Sequence, residues 1–130
     1  VTRSMEVLND HKKAMNGAKV LLLGAAYKKD IDDMRESPSL KLIEILREKG
    51  ADVDYNDPHV PSLPKTRKYN YVMDSVDLSE KSLEEYDLVL LSTDHSDYDY
   101  EFIMNHAKLI VDTRNAFEKA GVKSDKIYKA

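Results

Sequence analysis

No cysteine occurs in the 130 residues of this chain. Disulfides, thiolate metal sites and any chemistry needing a thiol nucleophile within the chain are thereby excluded. Glycine is scarce, four in all, and Gly24 is the only one in the first strand-to-loop turn. The G-x-G-x-x-G spacing that brings a dinucleotide pyrophosphate against a helix N-terminus is therefore missing, and a free-standing NAD site is not expected. No apolar run approaches the roughly 20 residues of a membrane helix. The N-terminus also lacks the basic-then-apolar order of a signal peptide, so no membrane partner and a cytoplasmic location are expected. A net charge of -4 gives no general attraction to nucleic acid.

What is present suits one compact domain, since about 150 residues per domain is the usual prior. Apolar residues make up 42% and charged residues 34%, enough for both a core and a well-solvated surface. Met5 and Leu8, with Ala14 and Met15 following, have helical spacing over residues 1–15, and Asn16-Gly17 supplies a stop. Val20-Leu21-Leu22-Leu23 and Leu88-Val89-Leu90-Leu91 are continuous apolar runs of the kind that parallel strands show when covered on both faces. Between them, Ser37-Pro38 opens a helix with a broad apolar face (Leu40, Leu42, Ile43, Ile45, Leu46) that ends at Gly50. Val53 to Asn56 is a second strand broken by Asp57-Pro58, and Tyr71 to Met73 a short third. Helices are expected around Leu83-Tyr86 and over Glu101 to His106, with strands at Leu109-Ile110-Val111 and, at one edge, Lys126-Ile127-Tyr128. This alternation predicts an α/β fold: a Rossmann-like doubly wound parallel sheet of five to six strands with helices on both faces.

The connection from Ala26 to Pro38 is the richest in chemistry. It packs the cations Lys28, Lys29 and Arg35 with the carboxylates Asp30, Asp32, Asp33 and Glu36 into one strand-to-helix loop. Such loops usually run about 2–6 residues, and the place beyond the carboxyl end of a strand is where α/β sheets keep their ligands. The string Gly24-Ala25-Ala26-Tyr27-Lys28-Lys29-Asp30-Ile31-Asp32-Asp33-Met34-Arg35-Glu36-Ser37-Pro38 resembles the signature G-x-A-Y-K-x-x-x-x-D-x-R-E-S-P of the C-terminal domain of the UDP-glucose/GDP-mannose dehydrogenase family. Tyr55-Asn56-Asp57-Pro58-His59-Val60-Pro61 and Ile110-Val111-Asp112-Thr113-Arg114-Asn115 follow in matching order, so the resemblance runs roughly over residues 15–120. Within the family, Tyr-Lys together with the Asp-Pro-His-Val-Pro segment is most similar to the UDP-N-acetylhexosamine 6-dehydrogenases.

The resemblance implies an NAD-dependent UDP-sugar 6-dehydrogenase that oxidises C6 to a uronate in two hydride transfers, a step of polysaccharide biosynthesis. It also implies a UDP-sugar substrate, an N-terminal NAD-binding domain in the same polypeptide, and a homodimer formed through a central helix. Residues 1–16 are then expected to be the tail of that helix and residues 17–130 the UDP-sugar-binding domain; a terminal helix simply packed on the domain is the other possibility. The family works through a cysteine thiol, which this chain lacks, and the chain opens at Val1. It is expected to be an excised C-terminal piece that does not turn over alone and holds no catalytic residue and no metal.

By the same resemblance, Tyr27 and Lys28 contact the UDP-sugar, Arg114 its diphosphate or uridine oxygens, and Arg35 the NAD held by the other domain. Each has a plainer alternative. Lys28 can pair with Asp30, Asp32 or Asp33, Arg35 with Asp32, Asp33 or Glu36, and Arg114 with Asp112 or Glu118, as surface charges commonly do. Asp57 is expected to form an Asp-Pro turn. Asp94, His95, Asp97 and Asp99 resemble an oxygen-rich metal loop but lack the glycine and terminal glutamate of an EF-hand. His59 and His106 are expected in surface or capping roles. The rival classes are a stand-alone nucleotide-binding or interaction module, and a receiver domain. A receiver needs an acidic pair after the first strand, where this chain has Gly-Ala-Ala-Tyr-Lys.

Overall fold

The computed structural model describes residues 2–24, 38–62 and 73–129. In chain order the elements are α1 (Thr2–Asp10), β1 (Lys19–Leu23), α2 (Pro38–Glu48), β2 (Asp52–Asn56), α3 (Glu80–Glu85), β3 (Leu88–Leu91), α4 (Tyr100–His106), β4 (Ile110–Asp112), α5 (Ala116–Lys119) and β5 (Ile127–Lys129). The five strands form one all-parallel sheet in the order β2-β1-β3-β4-β5. The chain winds outward from β1 in one direction to β2 and in the other to β3, so the strand order reverses between β1 and β3. Ligands of doubly wound sheets bind outside the carboxyl ends of the strands at such a reversal.

Side-chain alternation along the strands divides the core into two layers. Val20, Leu22, Val53, Tyr55, Leu88, Leu90 and Val111 point to one face, where Val7 and Leu8 of α1 and Leu40, Ile43 and Leu46 of α2 cover them. Leu21, Leu23, Val89, Leu91 and Ile110 point to the other, beneath Leu83 of α3, Ile103 of α4 and Ala116 and Phe117 of α5. Burial on both faces is why β1 and β3 read as unbroken apolar runs.

Local chemistry sets the ends. Gly50, at φ 89°, closes α2 in a Schellman motif, with the Ala51 N–H on Leu46 C=O at 3.0 Å and the Gly50 N–H on Arg47 C=O at 3.0 Å. Ser79 and Ser82 exchange hydrogen bonds in a capping box at the start of α3, and the Asp99 carboxylate accepts the Phe102 N–H at the start of α4.

Three expectations need adjustment. The N-terminal helix ends at Asp10, well before Asn16-Gly17, because Lys12 turns left-handed at φ 60° and the Lys13 N–H returns to Leu8 C=O at 2.8 Å. Gly17 instead joins the turn into β1, donating its N–H to Gly50 C=O at 2.9 Å. The strand expected at Tyr71 to Met73 lies outside the described residues except for Met73, which is irregular; beside it Asp74 makes an isolated antiparallel bridge with Ser62. The expected edge strand is present one residue later than read, as β5.

Candidate functional site

The carboxyl ends of β1, β2, β3 and β4 are laced together by polar contacts. After β1, the Gly24 N–H donates to Asn56 C=O at the end of β2, at 2.8 Å. After β3, the N–H groups of Ser92 and Thr93 both donate to Leu23 C=O, at 2.9 and 3.2 Å. After β4, the Thr113 hydroxyl donates to Leu91 C=O at 2.7 Å. Gly24 is left-handed, at φ 88°, and a Cβ there would sit 2.4 Å from the Thr93 Cβ and 2.7 Å from the Thr93 nitrogen. Only glycine lets the chain leave β1 in this direction against the β3 loop.

Arg114 stands at this edge. Its backbone N–H donates to Asp112 Oδ1 at 2.9 Å, while its Nε donates across the loops to Ser92 C=O at 2.9 Å. Asp112 is buried, and its second oxygen accepts the Phe117 N–H at 3.0 Å, so the carboxylate serves as a backbone anchor between β4 and α5. Glu118 pairs with Lys129. Among the described residues neither carboxylate engages the guanidinium, so the local-pairing alternative for Arg114 is not what is found. The exposed side chain lines an open cleft of about 450 Å³, together with Asp94, Asp112, Thr113, Asn115, Lys119 and Lys129. Lys129 is already paired with Glu118 and the Asp112 carboxylate with backbone N–H groups, so Arg114 and Lys119 are the cations left to meet an anionic guest, and a guanidinium already fixed at Nε presents the rest of its fork at low entropic cost.

Behind the loops lies a buried polar cluster. His95 Nε2 meets Asp57 Oδ2 at 2.8 Å, with both side chains inaccessible to solvent. Asp57 Oδ1 also accepts the His59 N–H at 2.7 Å, which is the turn expected of Asp57-Pro58. The His59 ring packs on His95 with centroids 4.6 Å apart, and its Nε2 approaches Asp97 Oδ2 at 2.9 Å in ion-pair proximity without the alignment of a hydrogen bond. Tyr98 continues the ring stack and donates its hydroxyl to Asn56 C=O at 2.8 Å. Burial, reinforced by the nearby Asp57 charge, pushes the Tyr98 hydroxyl far above its ordinary pKa, so it remains a donor. Asp99 is occupied in capping α4, and among the described residues no group of acidic or histidine side chains is arranged to hold a metal. His106 packs on Phe102 near Glu80 and Glu84 at the end of α4.

Of the residues singled out in the sequence, Arg114 is on the carboxyl edge; Tyr27, Lys28 and Arg35 lie outside the described residues. The Asp57–His95 contact was not legible, because 38 residues separate its partners and each has a sufficient local explanation. An aspartate at the end of one strand and a histidine just past an apolar one were the available signal. The single glycine of the β1 turn, Gly24, is closed off by Thr93.

Known proteins resemble this chain in sequence and in fold. The UDP-N-acetyl-D-mannosamine dehydrogenase of Methanococcus vannielii is 35% identical over 118 residues, spanning 81% of this chain and 26% of that protein. The UDP-glucose 6-dehydrogenase of Rhizobium meliloti is 28% identical over 110 residues, 81% of this chain and 25% of the relative. Among solved structures, a UDP-D-ManNAc dehydrogenase from Pyrococcus horikoshii superposes with a TM-score of 0.70 at 28% identity, covering 95% of this chain and 28% of that one. An NDP-N-acetyl-D-galactosaminuronic acid dehydrogenase from Methanosarcina mazei gives 0.77 at 24% identity over 99% of this chain and 27% of that one, a likeness of fold. The chain thus spans about a quarter of the length of these proteins. The sequence pattern of the UDP-glucose/GDP-mannose dehydrogenase family, UDP binding domain, matches residues 21–119, and the chain belongs to that family.

Proposed function

We propose that this chain is the nucleotide-sugar-binding part of an NAD-dependent UDP-sugar 6-dehydrogenase, with a UDP-N-acetylhexosamine as substrate. The observation that carries this is Arg114: an exposed guanidinium anchored through Nε to Ser92 C=O at 2.9 Å, lining an open cleft at the carboxyl edge beside Lys119. A diphosphate offers paired anionic oxygens that such a planar fork matches. Tyr27 and Lys28, which follow Gly24 in sequence, would pack on the nucleotide and meet its phosphates. Arg35 would reach the cofactor. NAD would supply the hydride acceptor, held by an N-terminal domain of the parent polypeptide, and the thiol for covalent catalysis would also come from there, since this chain has no cysteine.

Residues 1–16 would continue a central helix through which the parent dimerises, and residues 17–130 would be the binding domain. No helix among the described residues is long and apolar enough to cross a membrane; a cytoplasmic enzyme feeding polysaccharide assembly fits that. NMR titration of the chain with UDP tests the proposal. Without the rest of the enzyme the half-site is open to water, so binding in the millimolar range is expected. Shifts should centre on Arg114 and residues 25–37, and Lys28→Ala and Arg114→Ala should each weaken binding while Arg35→Ala leaves it nearly intact. Shifts confined to His59 and Asp97, with Arg114 silent, would overturn the assignment.

A further inference from the structure

Among the described residues, the Asp57–His95 pair does not line the cleft around Arg114. Yet burying a carboxylate and an imidazole completely is costly, and an apolar pair of similar volume would usually serve stability as well or better. Its position in the loop network indicates what else it does. The segment from Ser92 to His95 is fixed at both ends. At its start, Ser92 and Thr93 donate to Leu23 C=O at 2.9 and 3.2 Å. At its end, His95 Nε2 meets Asp57 Oδ2 at 2.8 Å, and the His95 carbonyl accepts the Tyr100 hydroxyl at 2.9 Å. Asp57 is held in turn by donating its N–H to Ser75 Oγ at 2.9 Å and accepting the His59 N–H at 2.7 Å. From this clamped segment the Ser92 carbonyl takes Arg114 Nε at 2.9 Å, and Thr93 closes on Gly24 at the root of the charged loop.

We propose that Asp57 and His95 are positioning residues: buried in the loop network, they hold the 92–95 segment so that the Ser92 carbonyl aims Arg114, setting affinity for an anionic nucleotide without touching it. This rests on Arg114 as the anion-holding group. Only Thr93 and Asp94 lie between Ser92 and His95, so a displacement at His95 has little chain in which to relax before it reaches the carbonyl.

Asp57→Asn is the deciding variant, because it keeps the side chain's shape and an acceptor for the His59 N–H while placing an amide NH2 group in the position of Oδ2. The readout is the Arg114 Nε–H signal in nitrogen-15 spectra of the ligand-free chain, assigned by its loss in Arg114→Lys. Asp57→Asn should move that signal and weaken UDP binding about fivefold, as expected for neighbours coupled through one network. His95→Leu should do the same, and His95→Gln, which returns a donor near the Nε2 position, should recover most of the affinity. Ile43→Val, a core truncation on the opposite face of the sheet, should lower stability and leave the Arg114 signal in place. A folded Asp57→Asn variant with an unmoved Arg114 signal and UDP affinity within twofold of the parent chain overturns the proposal, and decides alone if His95→Leu does not fold. If Arg114→Ala leaves UDP binding unchanged, the nucleotide site itself falls, and the ligand-free signal still reports whether the pair aims Arg114.

Discussion

The backbone of Gly24 lies directly against Thr93: a methyl group on Gly24 would come within 2.4 Å of the Thr93 Cβ and 2.8 Å of its Cα. The exit from the first strand and the loop after the third are therefore fitted to each other before any ligand is considered. Gly24→Ala would add both this overlap and a left-handed backbone that alanine resists. A loss of roughly 3 kcal/mol is expected from strain and overpacking together. Urea denaturation checks it, and a loss below about 1 kcal/mol would show that the two loops can slide apart.

Arg114→Ala should weaken UDP binding about tenfold, the low end for a charge-assisted hydrogen bond at an exposed site. Arg114→Lys should recover only part of this. A single ammonium cannot donate to Ser92 C=O and also present a planar fork to phosphate. Full recovery by lysine, measured by calorimetry, would mean that the cleft responds to net charge and not to the anchored geometry.

Asp87 ties the start of β1 to the end of α1's connection, accepting the Lys19 N–H at 2.9 Å and pairing with Lys13 at 3.2 Å. Burial raises its pKa, but the Lys19 and Lys13 contacts outweigh that, and the net shift is downward. A depressed carboxylate contributes stability that is complete above the unfolded value of about 3.9 and is lost as pH falls through the folded value. Asp87→Asn should thus cost roughly 1 kcal/mol at neutral pH, tempered by partial exposure. The gap to the parent chain should close in strong acid; a gap that persists there would assign the loss to packing.

Tyr55 behaves in the opposite sense. Its hydroxyl donates to Val60 C=O at 2.9 Å, and burial, aided by the charges of Asp57 and Asp74, pushes its pKa up to about 12. A raised folded value means a contribution complete below the unfolded value of about 10 and lost as pH climbs through the folded one. Tyr55→Phe should be less stable by about 1 kcal/mol at neutral pH through the lost hydrogen bond. It should nonetheless lose stability less steeply than the parent chain between about pH 10 and pH 12. Parallel curves over that interval would place the titration elsewhere.

Strands covered on both faces announce themselves in composition, and Leu88 to Leu91 could hardly be anything else. The ends of elements were legible where a single residue type decides them, as at Gly50, and illegible where a non-glycine residue takes a left-handed turn, as Lys12 does at φ 60°. At the carboxyl edge, Arg114 was singled out through the motif around it. The carbonyl that aims it was not, because backbone acceptors leave no trace in sequence. Asp57 and His95 were visible as residues and invisible as a pair, since contacts between different loops follow from strand order, and nothing local encodes that β2 and β3 flank β1.

Arg3 Nε donates to Lys129 C=O at 3.2 Å, and its guanidinium lies 5.3 Å from the centre of the Tyr128 ring. Residues 126 apart in sequence are thus neighbours in space. A short linker could close that gap, and the ring so formed could be reopened in the surface loop at Lys123-Ser124 with the sheet's neighbours unchanged. The same adjacency lets the unit be spliced into a host protein as an insertion whose entry and exit share one doorway.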